Sequence, residues 1–118
     1  MSGQSTALLY DTMRSLDTST LSGSYLPIGT PLTYSGRIVK IINASNVSIT
    51  ISTNGSTDMD IVPSGSFTLY DAGTNRGNSS PCMFFPKGTQ FSAKGSVGTG
   101  SVYLVCLYGY ETLTYPPQ

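Results

Sequence analysis

The stretch Arg37–Ser52 reads RIVKIINASNVSITIS, and the way it turns decides the architecture of the chain. Val47, Ile49 and Ile51 alternate with Ser48, Thr50 and Ser52. This is the period-2 pattern of a strand with one face in a core and the other towards water or polar neighbours. Each apolar side chain buried in this way contributes about 1.5–3 kcal/mol. Residues 37–42, RIVKII, read as a second strand, and Asn43-Ala44-Ser45-Asn46 is a turn-forming run between the two. The stretch is therefore expected to be a β-hairpin.

Downstream, strand and turn signals alternate. Asn54-Gly55 is a strong hairpin-turn dipeptide, followed by a short strand over 59–62, a turn at Pro63-Ser64-Gly65-Ser66, and a strand FTLYD over 67–71. MFF (83–85), the turn Pro86-Lys87-Gly88 and QFSAKG (90–95) continue the series. Residues 101–110, SVYLVCLYGY, are apolar on both faces, with Val102, Leu104 and Cys106 on one and Tyr103, Val105 and Leu107 on the other. A central strand covered on two sides has this pattern. Short strands roughly ten residues apart indicate an all-β fold, a single-domain antiparallel β-sandwich or jelly-roll-like barrel. Val47, Ile49, Ile51, Leu104 and Cys106 are its core candidates.

Composition agrees. With 118 residues the chain has the size of one domain, and its 18 Ser, 15 Thr, 13 Gly and 7 Pro suit turns and strand surfaces rather than helices. Charged residues make up only 10% and the net charge is zero, so no basic stripe exists for nucleic acid or an anionic membrane. No apolar run reads as a transmembrane segment and no basic-apolar leader opens the chain, so it is expected to be made in the cytoplasm. A surface with so little charge is poorly protected against self-association and suits a protein covered by partners.

Chemistry-bearing motifs are few. Without any His there is no imidazole base, and Cys82 and Cys106 have neither CxxC spacing nor a His to complete a zinc site. They read as two free thiols in a reducing compartment, with a disulfide as the alternative. Asp58–Asp71, DMDIVPSGSFTLYD, carries three carboxylates. Asp58 and Asp60 could offer two oxygen ligands, but the EF-hand spacing is absent, and Asp beside a turn commonly bonds local backbone. The stretch reads as turn and surface. AGTNRG (72–77) lacks the phosphate-loop pattern and reads as a connection. Its Arg76 nevertheless offers a bidentate donor for a carboxylate on a neighbouring subunit. Sequons at Asn43, Asn46, Asn54 and Asn78 read as turns. No enzymatic constellation, metal site or cofactor is implied.

The termini differ from the middle. Over residues 5–21, Leu9, Met13 and Leu16 fall at i, i+4 and i+7, a candidate short helix, although the Ser/Thr content that follows favours extended chain. Residues 1–24 are read as an N-terminal arm, 25–112 as the sandwich, and 113–118, where prolines end the last strand, as a C-terminal tail. Such arms are stable only when docked on something. Interface candidates are Leu8, Leu9, Met13 and Leu16 of the arm, with Asn54, Asn75 and Arg76 of the loops.

The series TSTLSGSYLPIGTPL, RIVKIINASNVSITIS, TDMDIVPSGSFTLYD, AGTNRGNSSP and FPKGTQFSAKGSVGTGSVYLVCLYG resembles the small virion structural proteins of tailed bacteriophages, a loosely defined group of neck, tail and outer-capsid components. The resemblance covers roughly residues 18–110 and leaves the N-terminal stretch outside. It implies a non-enzymatic building block located in the virion: a homo-oligomeric ring or collar component at the head-to-tail junction that contacts portal, adaptor, tail or capsid proteins. A capsid decoration (cement) protein is the alternative. A carbohydrate- or receptor-binding β-sandwich is a third reading from the eight tyrosines, weakened by the absence of Trp.

Overall fold

A computed structural model describes residues 4–72 and 84–113, with side chains over 7–72 and 84–109. Among the described residues nine strands run in chain order: β1 (Gln4–Tyr10), β2 (Arg14–Asp17), β3 (Leu26–Pro27), β4 (Gly36–Ser45), β5 (Ile49–Ser52), β6 (Asp60–Val62), β7 (Phe67–Asp71), β8 (Ser92–Gly95) and β9 (Gly100–Leu113). A 3-10 turn, Thr18–Thr20, follows β2, its first amide end capped by the Asp17 carboxylate, which accepts from Ser19 N at 2.9 Å.

The strands form two antiparallel sheets packed as a β-sandwich, which agrees with the expected class. One sheet has the order β1-β9-β4-β7, with β2 also on β9; the other has the order β3-β8-β5-β6. Between them lie Val39, Ile41, Val102, Leu104 and Cys106 from the first sheet and Ile49, Ile51, Val62 and Ala93 from the second, closed by Leu21, Ile28, Leu32 and Phe91 from the connections. Four of the five core candidates are thus fully buried. Val47 is only partly buried and packs against the core margin.

Arg37–Ser52 is not a hairpin. β4 and β5 belong to different sheets, so the stretch is a crossover at one end of the sandwich. The reason lies in the run read as a turn. Residues 43–45 continue β4, pairing with β9 from Val102 to Gly100, and the chain bends only at 46–48. Asn43 faces the core and is fully buried. Its amide nitrogen donates to the carbonyls of Val47 at 2.8 Å, Val62 at 3.0 Å and Pro63 at 3.2 Å. Its backbone accepts from Gly65 N at 3.0 Å and donates to Ser66 O at 2.8 Å. One side chain therefore fastens both crossovers at this end, β4 to β5 and β6 to β7. Gly100 opens β9 against this corner with φ of 118°, where an added Cβ would stand 2.3 Å from the Ala44 carbonyl oxygen.

The Asn54-Gly55 hairpin forms as expected, β5 pairing with β6 in the register Ile49↔Val62. Within MFF the described part is Phe84 and Phe85, and Phe85 makes only an isolated bridge to Gly36.

The candidate N-terminal helix is not observed. Residues 4–10 and 14–17 are strands on the edge of β9. A two-turn helix has little stability of its own, whereas Leu16, opposite Val102, reaches the core margin only from a strand. Leu16 is thus part of the sandwich. Beyond Gly36↔Tyr108, β9 pairs with β1 alone, so residues 4–8 and 109–113 form a two-stranded ribbon reaching past the second sheet. At about 3.3 Å per residue, the fourteen residues of β9 account for most of a long axis of 57 Å, against 23 and 22 Å across.

Candidate interaction surface

β9 is central, but among the described residues it is covered on one side only, where two were expected. Val102, Leu104 and Cys106 are buried, while Tyr103, Val105 and Leu107 on the opposite face are only partly buried and lie outside the core cluster. Strand register extends this outer face. Ile38, Lys40 and Ile42 of β4 stand beside Leu107, Val105 and Tyr103, and Asp71, Leu69 and Phe67 of β7 stand beside them in turn. Phe67 is 62% exposed and Leu69 53%. On the other flank Tyr10, opposite Leu107, is 73% exposed. Lys40 stands in the middle of this face, at the edge of a groove of about 210 Å³ that it shares with Ile42, Gly65, Ser66 and Phe67.

The ribbon continues the same surface. Leu8 and Leu9 are both exposed although adjacent residues of a strand point to opposite faces, so apolar side chains lie on both sides of the ribbon. Met13 is exposed in the connection between β1 and β2. Of the interface candidates, Leu8, Leu9 and Met13 are therefore accessible. Asn54 is exposed but occupied locally, its side-chain oxygen accepting from Ser56 N and Thr57 N, both at 2.9 Å. Asn75, Arg76, Cys82 and the sequon at Asn78 lie outside the described residues.

The arginine that matters to the described fold is Arg14, which the sequence reading did not single out. It is 5% exposed. Its guanidinium donates to the carbonyls of Thr30 at 2.6 Å and Pro31 at 2.7 Å, to the hydroxyl of Thr33 at 3.2 Å, and to the Thr12 carbonyl. Asp11 lies 3.5 Å from it and accepts Thr12 N and Thr33 N at 2.6 and 3.0 Å. Burial pushes the Asp11 carboxyl up, but the amides of Thr12 and Thr33, the Arg14 charge and the Tyr34 amide together hold it below the ordinary value. Gly29, with φ of 66°, lets the backbone pass over Arg14, where a Cβ would lie 2.6 Å from the arginine's own. The pair clamps the β1–β2 connection to residues 30–33.

The acidic stretch that attracted attention as a ligand set is divided among three side-chain partners, two on Asp58 and one on Asp60. Asp58 accepts the Tyr25 hydroxyl at 2.6 Å and Lys94 Nζ at 2.8 Å, tying the β5–β6 loop to β8 rather than to local backbone. The Lys94 and Tyr25 hydrogen bonds hold its carboxyl below the ordinary value despite partial desolvation. Lys94 also lies 4.9 Å from the Tyr25 ring centre. Desolvation and the Asp58 carboxylate push the Tyr25 phenol up to about 12. Asp60 accepts the Tyr70 hydroxyl at 2.5 Å, joining the two sheets. Among the described residues no three His, Cys, Asp or Glu side chains converge as a metal site. Cys106 is a free thiol in the core, pushed up to about 11 by burial and then by the Asp11 charge.

No protein-family model matches this chain, and no curated protein matches it.

Proposed function

We propose that the chain is a non-enzymatic structural protein of a tailed-phage virion, a ring or collar component at the head-to-tail junction that assembles through its ribbon and sheet surfaces. The observation that carries this reading is the apolar outer face of the β1-β9-β4-β7 sheet, prolonged by a ribbon over which no second layer lies among the described residues. A two-stranded ribbon is marginal alone in water and gains stability when a further layer covers it. An exposed apolar sheet face likewise marks a surface for association. The sandwich holds the shape, and its projecting end reaches other virion proteins such as portal, adaptor or tail components. Catalysis is not invoked: the chain has no His, and the described carboxylates Asp11, Asp58 and Asp60 are engaged in structural hydrogen bonds.

The test is localisation in purified virions of the phage that encodes the chain, by mass spectrometry and by fitting the sandwich into a reconstruction. Density at the neck in cyclic array supports the proposal. Density spread over the capsid lattice favours the decoration reading, and absence from virions refutes both.

A further inference from the structure

We infer that Asn54, at the tip of the β5–β6 hairpin, is a site of self-modification that the buried Ser52 hydroxyl holds closed, and this stands whether or not the protein is a virion component. The pair Asn54-Gly55 carries the reacting groups. A side-chain amide is attacked by the backbone nitrogen of the next residue most readily when that residue is glycine, which has no Cβ to obstruct the approach. Gly55 lies at φ of 75° and a Cβ added to it would meet nothing within 4 Å, so water has free access to the pair. Water is the only co-reactant required. Gly55 N bonds to Asn54 Cγ, the Cγ–Nδ2 bond breaks, and the Gly55 amide proton leaves with Nδ2 as ammonia, closing a succinimide ring. Water then opens the ring. Addition at Cγ breaks its bond to Gly55 N and gives aspartate; addition at the Asn54 backbone carbonyl carbon breaks the bond there and gives isoaspartate, with the chain running through the side-chain carbons.

The native turn restrains each reacting group. Gly55 N donates to Ser52 Oγ at 3.1 Å, which retains the proton that must leave. The Ser52 hydroxyl donates to Asn54 Oδ1 at 2.8 Å, and Ser56 N and Thr57 N donate to the same oxygen at 2.9 Å each. The leaving nitrogen, Nδ2, donates to Thr57 Oγ1 at 3.1 Å. Ser52 is fully buried, whereas residues 54–57 are exposed. One hydroxyl anchored in the fold therefore grips both the nucleophile and the carbonyl it would attack, and the reaction runs from locally opened molecules. Its products would change the hairpin. Aspartate adds a negative charge to a chain of zero net charge and removes the donor to Thr57, and isoaspartate inserts an extra backbone carbon beside the register Ile49↔Val62.

The experiment is incubation of the full chain at mildly alkaline pH, following deamidation at Asn54 by peptide mapping with mass spectrometry and isoaspartate by its methyltransferase. Wild type and Ser52→Ala are expected to react alike when unfolded in urea, and native wild type at least about tenfold more slowly. Folded Ser52→Ala should react several-fold faster than wild type brought to the same stability with urea, which separates the grip on Gly55 from a general loss of stability. On the unmodified chain, the Gly55 amide should exchange its hydrogen slowly in spite of its exposed position. Thr57→Val, at an exposed residue, releases Nδ2 and should speed the native reaction by a smaller factor; it decides the matter if Ser52→Ala does not fold. A native wild type that reacts as fast as the unfolded chain or faster overturns the inference, because the donors on Oδ1 would then assist the attack. A folded Ser52→Ala no faster than wild type at matched stability, an unchanged Thr57→Val, or a Gly55 amide exchanging like a free peptide also overturns it.

Discussion

Replacing Asn43 by Leu keeps nearly the same volume at a fully buried position and removes a donor that serves the carbonyls of Val47, Val62 and Pro63. Val47 O keeps the Ser45 hydroxyl at 3.1 Å and Pro63 O keeps the Ser66 amide at 3.1 Å, so the loss falls mainly on Val62. A buried carbonyl left without a partner costs about 1–3 kcal/mol. The net loss is then about 2 kcal/mol, a large share of the roughly 5–15 kcal/mol that holds a domain folded. At about 1.5 kcal/mol per molar urea, the unfolding midpoint falls by about 1.3 M. With an unfolding entropy of about 0.25 kcal/mol/K for this length, the melting temperature falls by about 8 °C. The assay is urea denaturation followed by circular dichroism, with Ser48→Ala at an exposed position of the same bend as the control, expected within about 0.5 kcal/mol of wild type. Asn43→Asp should be worse than Asn43→Leu near neutral pH, because a carboxylate would face three carbonyl oxygens, and it should recover in part on acidification. An Asn43→Leu protein as stable as the control would show that the crossover does not depend on this amide.

Four further outcomes are expected. Arg14→Met should cost about 3–5 kcal/mol in the same denaturation assay, since it leaves a buried carboxylate without its cation. Because the Asp11 carboxyl is held low in the folded state, its contribution is present above the ordinary carboxylate value and lost as pH falls through the folded one. Wild type should therefore lose stability on acidification below about pH 4, and Asp11→Asn should flatten that part of the curve. In a Cys82→Ser background, the Cys106 thiol should react with a disulfide reagent only as fast as the protein unfolds, because it is buried and its ionisation is suppressed; rapid labelling of the native protein would contradict its place in the core. Deleting residues 1–8 should trim the ribbon, leave the melting temperature nearly unchanged and weaken self-association. Deleting 1–17 should unfold the domain, since it removes Arg14, Leu16 and the strand beside Val102.

What the sequence alone determined was local. The alternation through Val47, Ile49 and Ile51, the Asn54-Gly55 turn and the long apolar run of β9 are one-dimensional patterns, and they suffice to place strands and most of the core because side-chain period and turn chemistry depend only on near neighbours. Which strands share a sheet was not legible in this way. Asn43-Ala44-Ser45-Asn46 has the composition of a turn, yet its first three residues are strand, because β9 lies alongside to pair with them and three carbonyls from two crossovers converge on the Asn43 amide. Leu9, Met13 and Leu16 have helical spacing, but an unpaired edge of β9 satisfies more backbone than an isolated two-turn helix can. Arg14 looked like any arginine of a polar segment until residues 30–33 folded over it. The outer face was visible in sequence as a second apolar row on β9. That no described element covers this row depends on where the other sheet lies, since it packs on the face bearing Val102, Leu104 and Cys106 and leaves Tyr103, Val105 and Leu107 on the outside of the sandwich.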